Sequence, residues 1–295
     1  MNFRTAICLS GAMLLAGPAA AQFGPPQGPF AAAAFTYTGG ELCQSVSRVS
    51  AESPLGRPAG IALSAAASAA RMDYCANGYF PGTLYKDDLR LTARRGPDSA
   101  TVTLTSASDE PFHSPSETDL GINLSRELSE PGARGVWTLG VNYATRRAFL
   151  RSMPMPYLGY RYSYDGLSFM LPFMVRWQFA EKLAFSASWQ PVKYYKLGLN
   201  WKPSETFRAD LEGGTGLDQF LPAGRPDKSE ALYLQTSSVA LKPAVRLSPA
   251  AELGAELGWR FKGMYYMGSR YDEYRERRRF SGGASAGLSF KYSFR

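Results

Sequence analysis

The residues best suited to chemistry sit together in Phe112-His113-Ser114-Pro115-Ser116-Glu117, which holds the only histidine of the 295-residue chain. An imidazole beside two hydroxyls and a carboxylate is the composition of a hydrolytic site, where a base takes the proton of a serine nucleophile. Neighbours on a proline-containing turn rarely converge on one substrate atom, however. His113 therefore reads as a solvated turn residue, and no catalytic residue is expected. Metal chemistry is as poorly provided for. Outside the first 21 residues there are one histidine and two cysteines, Cys43 and Cys75, which are expected to be oxidised, and these cannot fill a transition-metal shell without several carboxylates, while Asp272, Glu273 and Glu276 are interleaved with arginines. Gly213-Gly214-Thr215-Gly216 lacks the following Lys-Ser/Thr and the helix of a phosphate cradle, and reads as the start of a flexible loop. No cofactor or metal is expected.

The elements that would position any site begin with an export signal. Met1 to Arg4 is short and basic, Thr5 to Ala16 is apolar and uncharged, and Ala19-Ala20-Ala21 offers small residues for cleavage before Gln22. The apolar stretch is shorter than the roughly 20 residues of a transmembrane helix, so residues 1–21 are expected to be removed. Losing Arg4 turns the formal net charge of +8 into +7. That surplus suits anionic lipid or acidic solutes, and export argues against nucleic acid. Residues 22–82 are expected to form a short periplasmic segment. It opens as a Gly-, Pro- and Ala-rich lead-in to about Gly40, and Ala59 to Met72 has good helix propensity. Cys43 and Cys75 are the two cysteines left after the signal, and in an oxidising compartment they most simply pair with each other.

From about Leu84 the hydropathy period becomes two, and residues 83–295 read as an all-β unit. The longest alternation is the last: Phe280, Gly282, Ala284, Ala286, Leu288, Phe290, Tyr292 and Phe294 are apolar or small, with polar residues or glycine between them. One greasy face and one wet face, with no segment of 18 consecutive apolar residues elsewhere, describe a transmembrane antiparallel β-barrel. The mildly negative mean hydropathy of -0.23 agrees, because half of each strand is polar. About twelve strands are expected, or ten if the first two pair elsewhere, with Leu167 to Phe179 read as one strand. Asp165-Gly166, Pro131-Gly132, Glu181-Lys182 and Lys202 to Glu205 supply turns. With the last strand ending in the periplasm, the long connections Gly213–Glu230 and Lys262–Arg279 fall outside. The long connection Thr145–Pro156 then falls inside as an exception, and the His113 turn faces the periplasm.

Trp137, Trp177, Trp189, Trp201 and Trp259 lie in phase with the apolar residues and near strand ends, as aromatic girdles do. Out of phase are Arg161, Arg176, Lys196, Lys202, Arg208, Lys242, Arg246, Arg260 and Lys291, against Asp210, Glu212, Glu252 and Glu256. Such charges must line a lumen, since lipid exposure at mid-depth costs several kcal/mol. Two readings stay open: the charges pair across a filled interior, or they line an electropositive water-filled path.

With its cleavable signal, amphipathic hairpins and a final Phe290, Tyr292, Phe294, the chain resembles Gram-negative outer-membrane β-barrel proteins as a class. It stands nearest the mid-sized porin-like barrels. The resemblance implies a bacterial outer-membrane location, contact with lipopolysaccharide, and recognition of the terminal aromatic strand by barrel-assembly machinery, here with Arg295 following Phe294. The expected function is passive passage of small solutes by a non-enzymatic monomer, with anions preferred because nine basic residues on the polar face stand against four acidic ones. The alternatives are a closed structural or surface-interaction barrel and, more remotely, a lipid-modifying enzyme. The arginine-rich loop Arg270 to Arg279 reads either as a solvated loop or as a contact for lipopolysaccharide phosphates.

Overall fold

The computed structural model describes residues 28–75, 78–130, 133–147, 150–171, 173–190 and 192–294. The expected signal and the turn expected at Pro131-Gly132 lie outside them. The alternating sequence becomes β1 (Phe30–Thr38), β2 (Gln44–Gly56), β3 (Ala62–Tyr74), β4 (Thr83–Arg95), β5 (Asp98–Ser108) and β6 (Thr118–Glu127). There follow β7 (Gly135–Ala144), β8 (Met155–Tyr164), β9 (Leu167–Leu171), β10 (Met174–Ala180), β11 (Leu183–Gln190) and β12 (Tyr194–Trp201). The chain ends with β13 (Phe207–Phe220), β14 (Ala231–Arg246), β15 (Ala251–Arg260), β16 (Gly263–Gly268), β17 (Arg275–Phe280) and β18 (Gly283–Ser293).

Strands β1 to β15 pair antiparallel in chain order, β15 pairs with β18, and β18 returns to β1. The result is a closed ring of 16 strands with β16 and β17 as extras. Closure satisfies every strand edge, which a lipid-exposed sheet requires. The expectation of about twelve strands, or ten, is thereby corrected, and two physical causes explain the miss.

First, β1, β2 and β3 occupy most of what reads as a periplasmic segment. In β3, alanines face inward (Ala62, Ala66, Ala70) and outward (Ala65, Ala67, Ala69), so hydropathy carries no period. Pairing along the full length of β2 and β4 outweighs a helix preference worth under about 1 kcal/mol per residue. The helix expected over Ala59 to Met72 is therefore a strand. Second, Leu167 to Phe179 is a hairpin, with Met170 opposite Met174 and Leu167 opposite Trp177. Its outward residues are odd-numbered on both arms, so the alternation passes through the turn unbroken. Only Pro172, outside the described residues, marks the break in the sequence.

That hidden hairpin reverses the sidedness of everything before it. Phe30 pairs with Ser293, so both ends of the described chain share one rim, termed terminal here. Short turns lie there, among them Gly96-Pro97, Glu181-Lys182 and Asp165-Gly166, the last with φ of 45° and 75° as a primed hairpin turn needs. The distal rim carries the connections 39–43, 75–82, 109–117, 145–154 and 221–230 and the β16–β17 hairpin. The 145–154 connection joins the other long ones, which removes the exception. The His113 turn is distal too, opposite to the side expected from the shorter strand count.

The pairing keeps one parity around the ring. Leu257, Leu241, Leu211, Leu199, Phe185, Trp177 and Leu167 form a continuous outward row over seven strands. An exposed apolar surface this extensive is unsuited to water and suited to lipid.

The distal mouth is not open all round. β13 leaves β12 after Gly216, and the ends of β13 and β14 continue with β16 and β17 as a four-stranded flap. The hairpin from β15 and β18 into β16 and β17 keeps its register, Arg260 opposite Gly283 and Gly263 opposite Phe280. The flap crosses to the opposite wall of the ring: Leu221 N–H donates to the Ala107 carbonyl of β5 at 2.6 Å, and Lys86 Nζ of β4 donates to Asp218 at 2.8 Å. Between flap and wall lies the main apolar core, Phe220, Leu232, Leu234, Tyr265 and Phe280 against Val46, Met72, Leu84 and Ala107. The kink below the flap needs glycine. A Cβ on Gly282 would meet the Arg260 carbonyl oxygen at 1.8 Å, and one on Gly283 would meet Gly39 at 2.4 Å.

Candidate functional site

The inward face of the ring is the candidate site. Along β13, β14 and β15 its charges are linked: Arg208 donates to Glu252 at 2.7 Å and lies 3.8 Å from Asp210. Lys242 bonds Glu212 and stands 3.8 Å from Glu256, and Asn200 on β12 donates to Asp210 at 2.9 Å. On β8, Arg161 pairs with Glu127 of β6 at 3.0 Å. Arg176 on β10 and Arg246 at the end of β14 are exposed, while Lys196 on β12 is half-buried near the Tyr194 ring. Lys202, read from the sequence as lumenal, sits on a terminal-rim turn bonded to Glu205 at 2.8 Å.

Arg260 departs most from a water-lining role. It is 5% exposed, donates to the carbonyls of Leu42 and Gly39 and to Gln44 Oε1, and lies over the Phe280 ring. It thus fastens the β1–β2 connection to the base of the flap.

Inward charges that the sequence reading did not count change the balance. By register, β2, β4, β6 and the upper part of β13 add inward Arg48, Lys86, Arg90 and Arg94, and also Glu52, Asp88, Asp119, Glu127 and Asp218. The basic surplus suggested by the later strands is accordingly smaller. Most of the acids are engaged. Asp88 accepts from the Thr105 hydroxyl at 2.6 Å, and Asp119 accepts from the Thr145 hydroxyl and the Arg146 backbone, each at 2.8 Å.

A buried clasp holds the flap. Glu117 and Arg225 are each 1% exposed and meet at 3.2 Å, with Lys228 at 3.5 Å from the same carboxylate. Arg225 also donates to the carbonyls of Ser116 at 2.6 Å and Pro222 at 2.7 Å, and Ala223 N–H donates to Asp109 at 2.7 Å. Burial pushes the Glu117 carboxyl up, but hydrogen bonds from Ser114 and Ser116 and the charges of Lys228 and Arg225 outweigh it and hold it at about 2. This settles the geometry of the candidate hydrolytic cluster. Ser114 and Ser116 serve Glu117, while the exposed His113 faces Glu110 at 3.3 Å, so histidine and serines are not brought together. No signal local to that hexapeptide points to Arg225, which comes from a loop more than a hundred residues away.

The remaining expected residues fall as follows. Cys43 and Cys75 form a disulfide, with Cα atoms 5.1 Å apart, joining the β1–β2 and β3–β4 connections at the distal rim rather than within a periplasmic segment. Trp137, Trp177 and Trp201 lie near the terminal rim, and Trp189 and Trp259 near the distal one. All five share the outward parity, and Phe290, Tyr292 and Phe294 end the outward face of β18.

No family profile and no curated protein matches the chain. Among solved structures it is similar to an outer-membrane channel of Pseudomonas putida F1 at 8% identity, covering 92% of this chain and 97% of that one with a TM-score of 0.41. It is also similar to a mutant porin of Rh. blastica, at 9% identity, with 90% and 98% of the chains covered and a TM-score of 0.37. An outer-membrane protein of Vibrio cholerae, OmpT, aligns at 8% identity over 90% and 96% of the chains with a TM-score of 0.35. The likeness is one of barrel architecture.

Proposed function

We propose that the barrel lies in a bacterial outer membrane and passes small solutes through its lumen, with a weak preference for anions. The observation that carries this reading is a closed ring of 16 strands with charged and hydroxylated residues facing inward and an unbroken apolar row facing outward. Rings of that size leave an aqueous interior that side chains alone do not fill. The anion preference rests on pairing: lumenal acids are mostly bonded to lysine, arginine or hydroxyl partners, while Arg176 forms no ion pair among the described residues. The distal rim would face outward, against lipopolysaccharide, and the aromatic end of β18 would be read by the assembly machinery.

A second reading is favoured by the flap. Its core and clasp roof part of the mouth, as suits a closed structural or surface-interaction barrel. Single-channel recording of the refolded chain in planar bilayers separates the two. Discrete conductance steps with a reversal potential on the anion side support passage, and their absence in protein that still migrates as a folded barrel sinks it.

A further inference from the structure

This inference rests on the reading of the barrel as an outer-membrane protein with its chain ends in the periplasm, and it concerns the lipid-facing surface. Leucine, phenylalanine and tryptophan project outward over much of that surface. β4 and β5 interrupt them, because Ala93 stands opposite Ala100. The two methyl groups floor an open groove of about 490 Å³, walled by Leu124, Leu139 and Val141 of β6 and β7 on one side and by Ile61, just before β3, on the other.

A charged row borders the groove on the side of the terminal rim. Arg95 stands opposite Asp98, and Asp98 opposite Arg126, each two residues from Ala93, Ala100 and Leu124 and so of the same outward parity. Outward charges are costly at mid-depth and cheap at the interface, so this row marks the level of the lipid head groups. Arg126 lies 3.7 Å from Asp98, whereas Arg95 forms no ion pair among the described residues. Two cations against one acid leave the row a single positive charge. Arginine offers parallel N–H donors that match phosphate oxygens, and the apolar groove runs from those donors toward the membrane centre.

We propose that this groove holds one anionic glycerophospholipid of the periplasmic leaflet, with its phosphodiester on Arg95 and Arg126 and an acyl chain over Ala93 and Ala100. A head group of net charge −1 matches the surplus of the row. A zwitterionic head group brings an ammonium that the two arginines repel.

The test is native mass spectrometry of the refolded chain, first checked for heat-modifiable migration, in detergent with equal amounts of phosphatidylglycerol and phosphatidylethanolamine of the same acyl chains. One phosphatidylglycerol should be retained per barrel, several-fold over phosphatidylethanolamine. Retention should fall several-fold in Arg95→Gln/Arg126→Gln, which removes the charge, and in Ala93→Leu/Ala100→Leu, which fills the groove and leaves the charge in place. Lys202→Gln, elsewhere on the terminal rim, should leave it unchanged. Equal retention of the two lipids, or retention that survives both double variants, overturns the site. Lipopolysaccharide displacing phosphatidylglycerol from the wild type, but not binding the double variants, overturns the choice of lipid. A folded chain that does not insert into vesicles sinks the outer-membrane reading itself, while one that inserts and retains no phosphatidylglycerol sinks the site alone.

Discussion

Glu117 illustrates how one residue ties distant parts of the chain. Its carboxylate is removed from water, yet two serine hydroxyls, Arg225 and Lys228 hold it charged, about 2 against an ordinary value of 4.5. Because the folded value is the lower one, the clasp contributes in full above about pH 4.5 and is lost as pH falls toward 2. The difference corresponds to about 3 kcal/mol, in line with the 3–5 kcal/mol typical of breaking a buried pair. Glu117→Gln should therefore free the 221–230 connection at a pH where the wild type still holds it. Pepsin at pH 4 provides the measurement, since Phe220 and Leu221 border the clasp. Cleavage there is expected in the variant and not in the wild type, and equal resistance of both would show that the clasp does not depend on the charged pair.

At the scale of elements, β16 and β17 continue the register of β15 and β18 as far as Tyr265 opposite Arg278, and a bulge shifts it only beyond that point. Equal lengths can therefore be removed from both arms without moving any barrel side chain to the other face. Replacing residues 262–281 by a short turn removes Tyr265 and Phe280 from the main core, along with the Arg275–Glu230 bond. The shortened barrel should still be heat-modifiable and should conduct at least several-fold more than the full chain in bilayers. An unchanged conductance would mean that the flap does not limit the path. The disulfide bears on the facing side of the same mouth. It ties the connection that carries Leu42 to the one that carries Phe80, both part of the core under the flap.

For the whole molecule, closure predicts a barrel that survives detergent until it is boiled, because no strand edge is left to fray. Identical gel migration with and without boiling would contradict it. Sidedness follows from the strand number. With the chain ends in the periplasm, a cysteine replacing His113 should react in intact cells with a membrane-impermeant maleimide, and one replacing Pro97 only after lysis. The opposite pattern would place the chain ends and the terminal rim on the outer side instead.

What the sequence determines by itself is whatever one strand can report alone. A period of two with one apolar face is a local property, so β4 to β8, β11 to β15 and β18 are legible, as are the outward tryptophans and the inward Arg161, Arg208, Glu252 and Glu256. Where both faces carry alanine, as in β3, the contrast vanishes and only pairing with neighbours makes a strand. Where a hairpin preserves parity, as between β9 and β10, two strands look like one. The cysteine pairing could be read from elimination, but not its place at the distal rim, because place depends on the strand count. The flap, the Glu117–Arg225 clasp, the burial of Arg260 and the unpartnered Gln219 amide belong to the tertiary structure alone. Each brings together segments from opposite walls of a closed ring, and no pattern within either segment records which wall it will meet.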